Sequence, residues 1–174
     1  RIVDLSSRKD AVQGDLGEVW IRGPQVMKGY LNNPSATADM IDNDNWLHSG
    51  DIGKADNDGY LYVVDRVKEL IKYKGLQVAP AELEGIIQSH PAVADVAVIP
   101  SPDEEAGEIP KAFVVVKPDA TLTADEVIAY VADRVSPQKK VRKVEFIDAI
   151  PKVPSGKILR RQLVERERQS NSSQ

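Results

Sequence analysis

A chain of 174 residues with a net charge of −4 can bury one sizeable core or two small ones. The absence of cysteine excludes disulfides, thiolate zinc sites and a cysteine nucleophile, and the two distant histidines, His48 and His90, give no metal constellation. Basic residues are dispersed, with Lys139-Lys140-Val141-Arg142-Lys143 as the densest run, which argues against a nucleic-acid surface; no apolar run is long enough to span a membrane.

The opening Arg1-Ile2-Val3-Asp4-Leu5 carries neither an initiator methionine nor a signal-peptide pattern, and reads as cut from something longer. With no cysteine and no targeting signal, the expected location is cytoplasmic. Residues 17–22 alternate as a half-buried strand before the Gly23-Pro24 break. Asn33-Pro34-Ser35 can open a short helix with Ala36, Met40 and Ile41 on its apolar side. Residues 46–53 contain His48-Ser49-Gly50-Asp51, and Asp56-Asn57-Asp58-Gly59 is a hairpin turn before a returning strand at 60–64. This first third looks like the edge of a domain.

From Glu69 onward, short strands alternate with helices. Residues 70–73 and 76–78 flank Lys74-Gly75 as a hairpin. Pro80 starts a helix with Leu83, Ile86 and Ile87 inward, and Pro91 stops it. Strands are expected at 93–100 and 111–117, separated by the acidic loop 103–108. Thr123 and Glu126 form a capping box for a helix with Ile128, Val131 and Val135 on its apolar side. A strand over 143–148 and an amphipathic helix over 158–166 follow, before the polar end at 170–174. The expected fold class is α+β: a small mixed sheet with two helices packed on one side, preceded by a short-stranded β segment.

Four constellations can carry chemistry. Asp51, after flexible Gly50, can accept hydrogen bonds from vicinal hydroxyls such as those of a ribose, or simply bond its own backbone in an Asx turn. Asp65-Arg66-Val67-Lys68 lies where the two patterns meet, as a hinge or as surface charge at a strand end. Strand alternation puts Lys72 and Lys74 on one face, with Gly75 leaving room for close approach. That face suits an anionic ligand, or else the lysines merely protect a strand edge. Lys157, in Pro154-Ser155-Gly156-Lys157, is a mobile cation in a turn just ahead of a helix. Its alternative is a solvated helix-start lysine, although a cation there opposes the helix dipole. The triplet is no P-loop, since the upstream glycine is missing.

Taken in order, Gly29-Tyr30, Trp46-Leu47-His48-Ser49-Gly50-Asp51, the run 64–75, the run 77–84 and Pro151-Lys152-Val153-Pro154-Ser155-Gly156-Lys157 closely resemble the carboxyl-terminal part of the adenylate-forming enzymes. That superfamily includes acyl- and aryl-CoA synthetases, firefly luciferase and the adenylation domains of nonribosomal peptide synthetases. Within it the chain looks most like a 4-coumarate–CoA ligase, from about Gly17 to Leu163.

The resemblance implies ATP and coenzyme A as cofactors, with Mg2+ arriving on ATP and no metal ligand in this chain. It implies that Asp51, Arg66, Gln77 and Lys157 contact ATP or AMP, and that Lys68 and Lys72 face the acyl-adenylate. Lys74 and Gly75 match a pair that approaches coenzyme A, and Asp65, Arg66 and Lys68 match the hinge. Lys157 matches the lysine of adenylation and Lys72 that of the thioester step. The implied reaction joins a carboxylic acid to ATP, giving acyl-AMP and pyrophosphate, and then lets the coenzyme A thiol displace AMP. The implied acid is 4-coumarate or a related aryl or acyl acid, as in phenylpropanoid metabolism.

The family's phosphate-binding loop and acid pocket are not in this sequence. The expectation is therefore that 1–64 is the last portion of a large N-terminal domain, 65–68 the hinge, and 69–174 the small C-terminal lid domain. The partner is then the missing large domain, and the chain alone is expected to be inactive. A luciferase-like adenylating monooxygenase and a noncatalytic nucleotide-binding fragment are the competing readings.

Overall fold

The structure, a computed structural model, describes residues 1–171. Residues 172–174, most of the expected polar end, lie outside them. The backbone divides into two compact units, Arg1–Lys68 and the remainder from Glu69.

In the first unit, β1 (Ile2–Val3), β2 (Gly17–Ile21), β3 (Leu47–Ala55) and β4 (Leu61–Arg66) form an antiparallel sheet in sequential order. The short helix α1 (Pro34–Met40) starts where expected, because Asn33 Oδ1 accepts from Ala36 N at 3.0 Å and Pro34 needs no donor there. Its apolar side is only partly covered, and no residue of α1 is buried. Val3, Val19, Trp20 and Ile52 are buried, a small core for a sheet of this size. Turn residue Asp56 accepts from Asp58 N and Tyr60 N through Oδ1, closing the β3–β4 hairpin. Leu61, Tyr62 and Val63 of β4 are all at least half exposed.

The second unit holds β5 (Ile71–Tyr73), β6 (Leu76–Val78), β7 (Val93–Asp103), β8 (Gly107–Val116) and β9 (Lys143–Phe146), with helices α2 (Pro80–Gln88), α3 (Ala124–Ala132) and α4 (Arg160–Asn171). Its sheet is mixed: β9 runs parallel to β8 and every other pairing is antiparallel. The β7–β8 hairpin is longer than its sequence suggests. Pairing runs on through Pro100↔Pro110 to Asp103↔Gly107, so the acidic loop shrinks to Glu104–Ala106. Prolines are tolerated at these positions because the partner strand does not need their missing N–H.

Alternation along β7 and β8 makes both sheet faces apolar. Val96, Val98, Ala112 and Val114 join Leu83 and Ile87 of α2 and Val127 and Val131 of α3 in one core. Ala97, Ile99 and Phe113 point the other way and meet Ile150 and Leu163. Val93 belongs to the first core despite its odd number, because the register shifts between Val93 and Asp95. Helices α2 and α3 share one face as expected, and α4 covers the opposite one. The capping box at Thr123 and Glu126 is formed, but the fully buried residues of α3 are Val127 and Val131. Ile128 and Val135 are only partly buried.

Helix α4 is also held by buried charge. Glu167, only 2 % exposed, accepts from Ser101 Oγ at 2.7 Å and pairs with Lys111. Lys111 also reaches Glu145 at 2.7 Å, and Arg166 contacts Glu145 from the solvent side at 2.6 Å. Burial raises the Glu167 carboxyl, but its bonds to Lys111 and Ser101 outweigh that and hold it below the usual 4.5. Burial likewise lowers Lys111, and the two glutamates overcome it and hold the ammonium above 10.5.

Two outcomes follow in equilibrium urea denaturation. Leu83→Ala, at a fully buried site, should cost about 2–4 kcal/mol, whereas Leu76→Ala at a half-exposed site should stay within about 0.5 kcal/mol. The lowered Glu167 carboxyl means the unfolded state binds more protons in acid, so its contribution is present above about pH 4.5 and is lost as pH falls through the folded value. The raised Lys111 contributes below about pH 10.5 and loses its effect above the folded value. Glu167→Gln should therefore cost on the order of 3 kcal/mol at neutral pH and flatten the acid limb of stability against pH.

Candidate functional site

The first group sits at the β3–β4 edge of the first unit. Between the pairs Glu18↔Ile52 and Trp20↔His48, Val19 alone on β2 faces Ser49, Gly50 and Asp51 on β3. The surplus residues leave the ladder, and such a bulge re-aims its side chains. Gly50 takes φ +72°, with open space where a Cβ would stand, so glycine is needed there for its conformation and not for lack of room. Asp51 N donates to Ser49 Oγ at 3.1 Å, and the Asp51 carboxylate pairs with Arg66 Nε at 3.4 Å across the β3–β4 register. The carboxylate therefore turns to a neighbouring strand and not to its own backbone.

Glu18 is a part of this arrangement that sequence reasoning missed. Although charged, it is buried on β2, accepting from Trp20 Nε1 at 2.9 Å and from Gly50 N at 3.2 Å. Trp20 in turn stacks on His48, with ring centroids 3.8 Å apart. Glu18 thus ties the bulge backbone to the small core. A charged residue inside the apolar alternation of 17–21 was the signal available. At the end of this unit, Asp65 is buried and its Oδ1 accepts from Arg66 N at 2.7 Å. Arg66 and Lys68 are exposed, the latter in a single 3₁₀ turn, Val67–Glu69.

The second group is the β5–β6 hairpin. Lys74 and Gly75 form its two-residue turn, with φ of +47° and +80°. Positive φ at both central residues matches the right-handed twist of the flanking strands. This corrects the expectation that Lys74 shares a face with Lys72, since strand alternation ends at Tyr73. The residue beside Lys72 is instead its cross-strand partner Gln77. Lys72, Lys74, Gly75 and Gln77 are all exposed. Acidic residues supply partners for the two lysines: Glu108 Oε2 of β8 accepts from Lys72 N at 2.7 Å, and Glu105 of the turn pairs with the Lys74 ammonium. The hydrogen bond that Lys74 donates to Glu105, then the charge of that carboxylate, raises the Lys74 pKa.

Lys157 occupies a third place. Helix α4 begins at Arg160, not at Ile158, because Ile158 bridges back to Lys152. Within that loop Val153 N donates to the Lys157 carbonyl at 2.9 Å and Gly156 N to the Val153 carbonyl at 2.8 Å. Lys157 therefore projects from a tight hairpin ahead of the helix, exposed and outside its first turn. The expected conflict with the helix dipole is correspondingly weak.

The structure does not gather all the named lysines at one point. The base of the Lys157 hairpin is fixed by Lys152 Nζ to Asp95 Oδ2 at 2.6 Å, near the beginning of β7. The β5–β6 turn joins the sheet through Tyr73↔Gly107, where β7 ends at Asp103. At about 3.3 Å per residue, the run from Asp95 to Asp103 covers on the order of 25 Å. Among the described residues no group of three or more His, Asp or Glu is placed to hold a metal ion. No described helix is long and apolar enough to cross a membrane.

Comparison with known proteins gives these features a family. Residues 82–157 match the model of the AMP-binding enzyme C-terminal domain, a match that ends on Lys157 itself. Over 164 residues the chain is 60% identical to 4-coumarate–CoA ligase-like 6 of Oryza sativa subsp. japonica, covering 94% of this chain and 27% of the relative. It is 55% identical to 4-coumarate–CoA ligase 5 of the same organism, covering 94% of this chain and 30% of that one. The chain thus spans less than a third of the length of the curated relatives it matches. Among solved structures, ATP-bound MatB from Rhodopseudomonas palustris superposes with a TM-score of 0.88 at 32% identity, over 95% of this chain and 33% of that one. Within the second unit, residues 82–157 thus carry the AMP-binding enzyme C-terminal domain, and the chain around them is similar to adenylate-forming CoA ligases.

Proposed function

We propose that this chain is the C-terminal, lysine-presenting part of an ATP-dependent carboxylate–CoA ligase acting on 4-coumarate or a related aryl or acyl acid. The observation that carries the reading is the placement of two exposed lysine-bearing turns near opposite ends of the β7–β8 hairpin. Each suits a different step on one anionic intermediate, and neither can serve at the other's position without a reorientation of the unit that bears both.

In the first step a carboxylate attacks the α-phosphorus of ATP and pyrophosphate leaves. Charge builds on the phosphoryl oxygens, and the ammonium of Lys157 stabilises it there. In the second step the coenzyme A thiol attacks the acyl carbon and AMP leaves. The β5–β6 hairpin then takes the position that Lys157 held. Lys72, with Lys68, faces the acyl-adenylate, Gln77 lies by AMP, and Lys74 with Gly75 approaches coenzyme A. Asp65, Arg66 and Lys68 form the hinge between 1–64 and the unit from Glu69, and the exchange of faces is a gating step.

Asp51 and Arg66 fit a nucleotide together. The carboxylate can accept from both ribose hydroxyls, and the guanidinium 3.4 Å away adds a cation beside them. Mg2+ enters bound to the phosphates of ATP. The partner is a large domain carrying the phosphate-binding loop and the acid pocket. The half-exposed apolar run Leu61–Val63 on β4 supports a first unit that continues into a larger β structure.

The test replaces the matching segment of the rice 4-coumarate–CoA ligase 5 with this chain. The chimera should release pyrophosphate in the presence of 4-coumarate and ATP and then form the thioester, while the chain by itself should do neither. Lys157→Ala should lower adenylation by about 10²–10³-fold, as loss of one transition-state donor does, and leave thioester formation from supplied acyl-adenylate within a few-fold. Lys72→Ala should show the reverse bias. Equal loss of both half-reactions in both variants would sink the two-face reading.

A further inference from the structure

Lys157 owes its position to the two legs of its hairpin, and these are anchored differently. The leading leg has the solvent-facing pair Lys152–Asp95. The trailing leg runs through Leu159 N, which donates to the Pro151 carbonyl at 2.8 Å, directly into Arg160. Arg160 is 16% exposed at its side chain and works as a fork. One amino group, Nη1, reaches Glu69 at 2.9 Å, and the other, Nη2, reaches both oxygens of Glu84, at 2.9 and 2.7 Å. Glu84 Oε1 also accepts from Val98 N at 2.8 Å, on the free edge of β7.

Three otherwise separate parts therefore meet at one guanidinium: the segment immediately after Lys68, helix α2 with the sheet edge behind it, and the first residue of α4. Two carboxylates on one cation make a tight, mostly desolvated cluster, in which a planar bidentate group cannot be exchanged for a point charge without loss of geometry. Arg160 Nε is buried with no hydrogen-bond partner among the described residues. An arginine that met all its own needs would not leave that donor unmatched, so the fork is held where Glu69 and Glu84 require it.

We infer that Arg160 is a positioning residue for Lys157, fixing the reach of the lysine hairpin and tying it rigidly to Glu69, the residue that follows the hinge segment. Rotation at 65–68 is then carried to Lys157 through the Glu69–Arg160 bond without slack. This role rests on Lys157 acting in adenylation, as proposed above. Arg160 itself touches no reacting atom. It acts through the lysine three residues before it.

The experiment uses the same rice chimera. Arg160→Lys retains the charge but gives up the fork. It should lower kcat for pyrophosphate release by about ten- to a hundredfold, the scale on which small misplacements act, with KM for ATP within about twofold. Thioester formation from supplied acyl-adenylate should stay within about twofold. In a Lys157→Ala background, Arg160→Lys should add no further loss, because a residue acting only through the lysine has nothing left to position. Glu69→Ala removes one arm and keeps the Glu84 pair, and should show the same bias at smaller size. It decides the matter where Arg160→Lys reduces the yield of folded protein.

Equal loss in both half-reactions, or losses that multiply in the double variant, would overturn the positioning role. Such a result leaves the ligase reading intact as long as Lys157→Ala alone shows its bias. A wild-type chimera that neither adenylates nor forms the thioester overturns that reading, and this inference with it.

Discussion

The pairing of β7 with β8 governs the second unit because successive side chains in a strand leave on opposite sides. With Val96, Val98, Ala112 and Val114 on one side and Ala97, Ile99 and Phe113 on the other, neither face can be left to water. Burying one such side chain is worth about 1.5–3 kcal/mol, so each face demands a cover. Helices α2 and α3 provide the first, and α4 with Ile150 the second. The same ladder then serves as the ruler of the site. Its two ends hold the β5–β6 turn and the base of the Lys157 hairpin, and its length keeps them apart.

Charged residues in this unit fall into two physical groups. Lys111, Glu167, Glu84 and Arg160 are buried or nearly so, and each lies in a network that answers the cost of desolvation with several hydrogen bonds. They join elements distant in sequence and give the helices one way to dock. Lys72, Lys74 and Lys157 are exposed, sit in or beside tight turns, and are joined to the scaffold through the backbone around them. Backbone anchorage leaves the ammonium groups available, apart from Lys74, which meets Glu105. The proposed chemistry uses the second group, and the first holds it in place.

Much of this was legible in the chain. Asn33-Pro34, Thr123 with Glu126, and Pro80 mark helix starts through capping physics that needs no tertiary context. The turns at Asp56–Gly59 and Lys74-Gly75 are local too. What failed was extrapolation of one regularity past its end. Alternation along 70–74 placed Lys74 with Lys72, but a two-residue turn with positive φ interrupts the strand at Tyr73. Acidic composition marked 103–108 as loop, whereas Asp103, Gly107 and Glu108 pair across the hairpin. The helix expected from Ile158 starts later because Ile158 finds a partner in Lys152.

The sequence by itself determined the elements, the lysines and the family resemblance, since those depend on neighbours within a few residues and on motif order. Only the tertiary structure decided which residues share a place. Asp51 meets Arg66 through strand register, Gln77 stands across from Lys72, and the Lys157 hairpin lies at the far end of the sheet from both lysines of the β5–β6 hairpin. The inward partners Glu84 and Glu167 were equally hidden, because a glutamate reads as surface until packing puts it inside, while Glu18 showed only as a charge within an apolar alternation. The physical reason is the same in each case: pairing register and burial are set by contacts between segments far apart in the chain, and no local pattern records them.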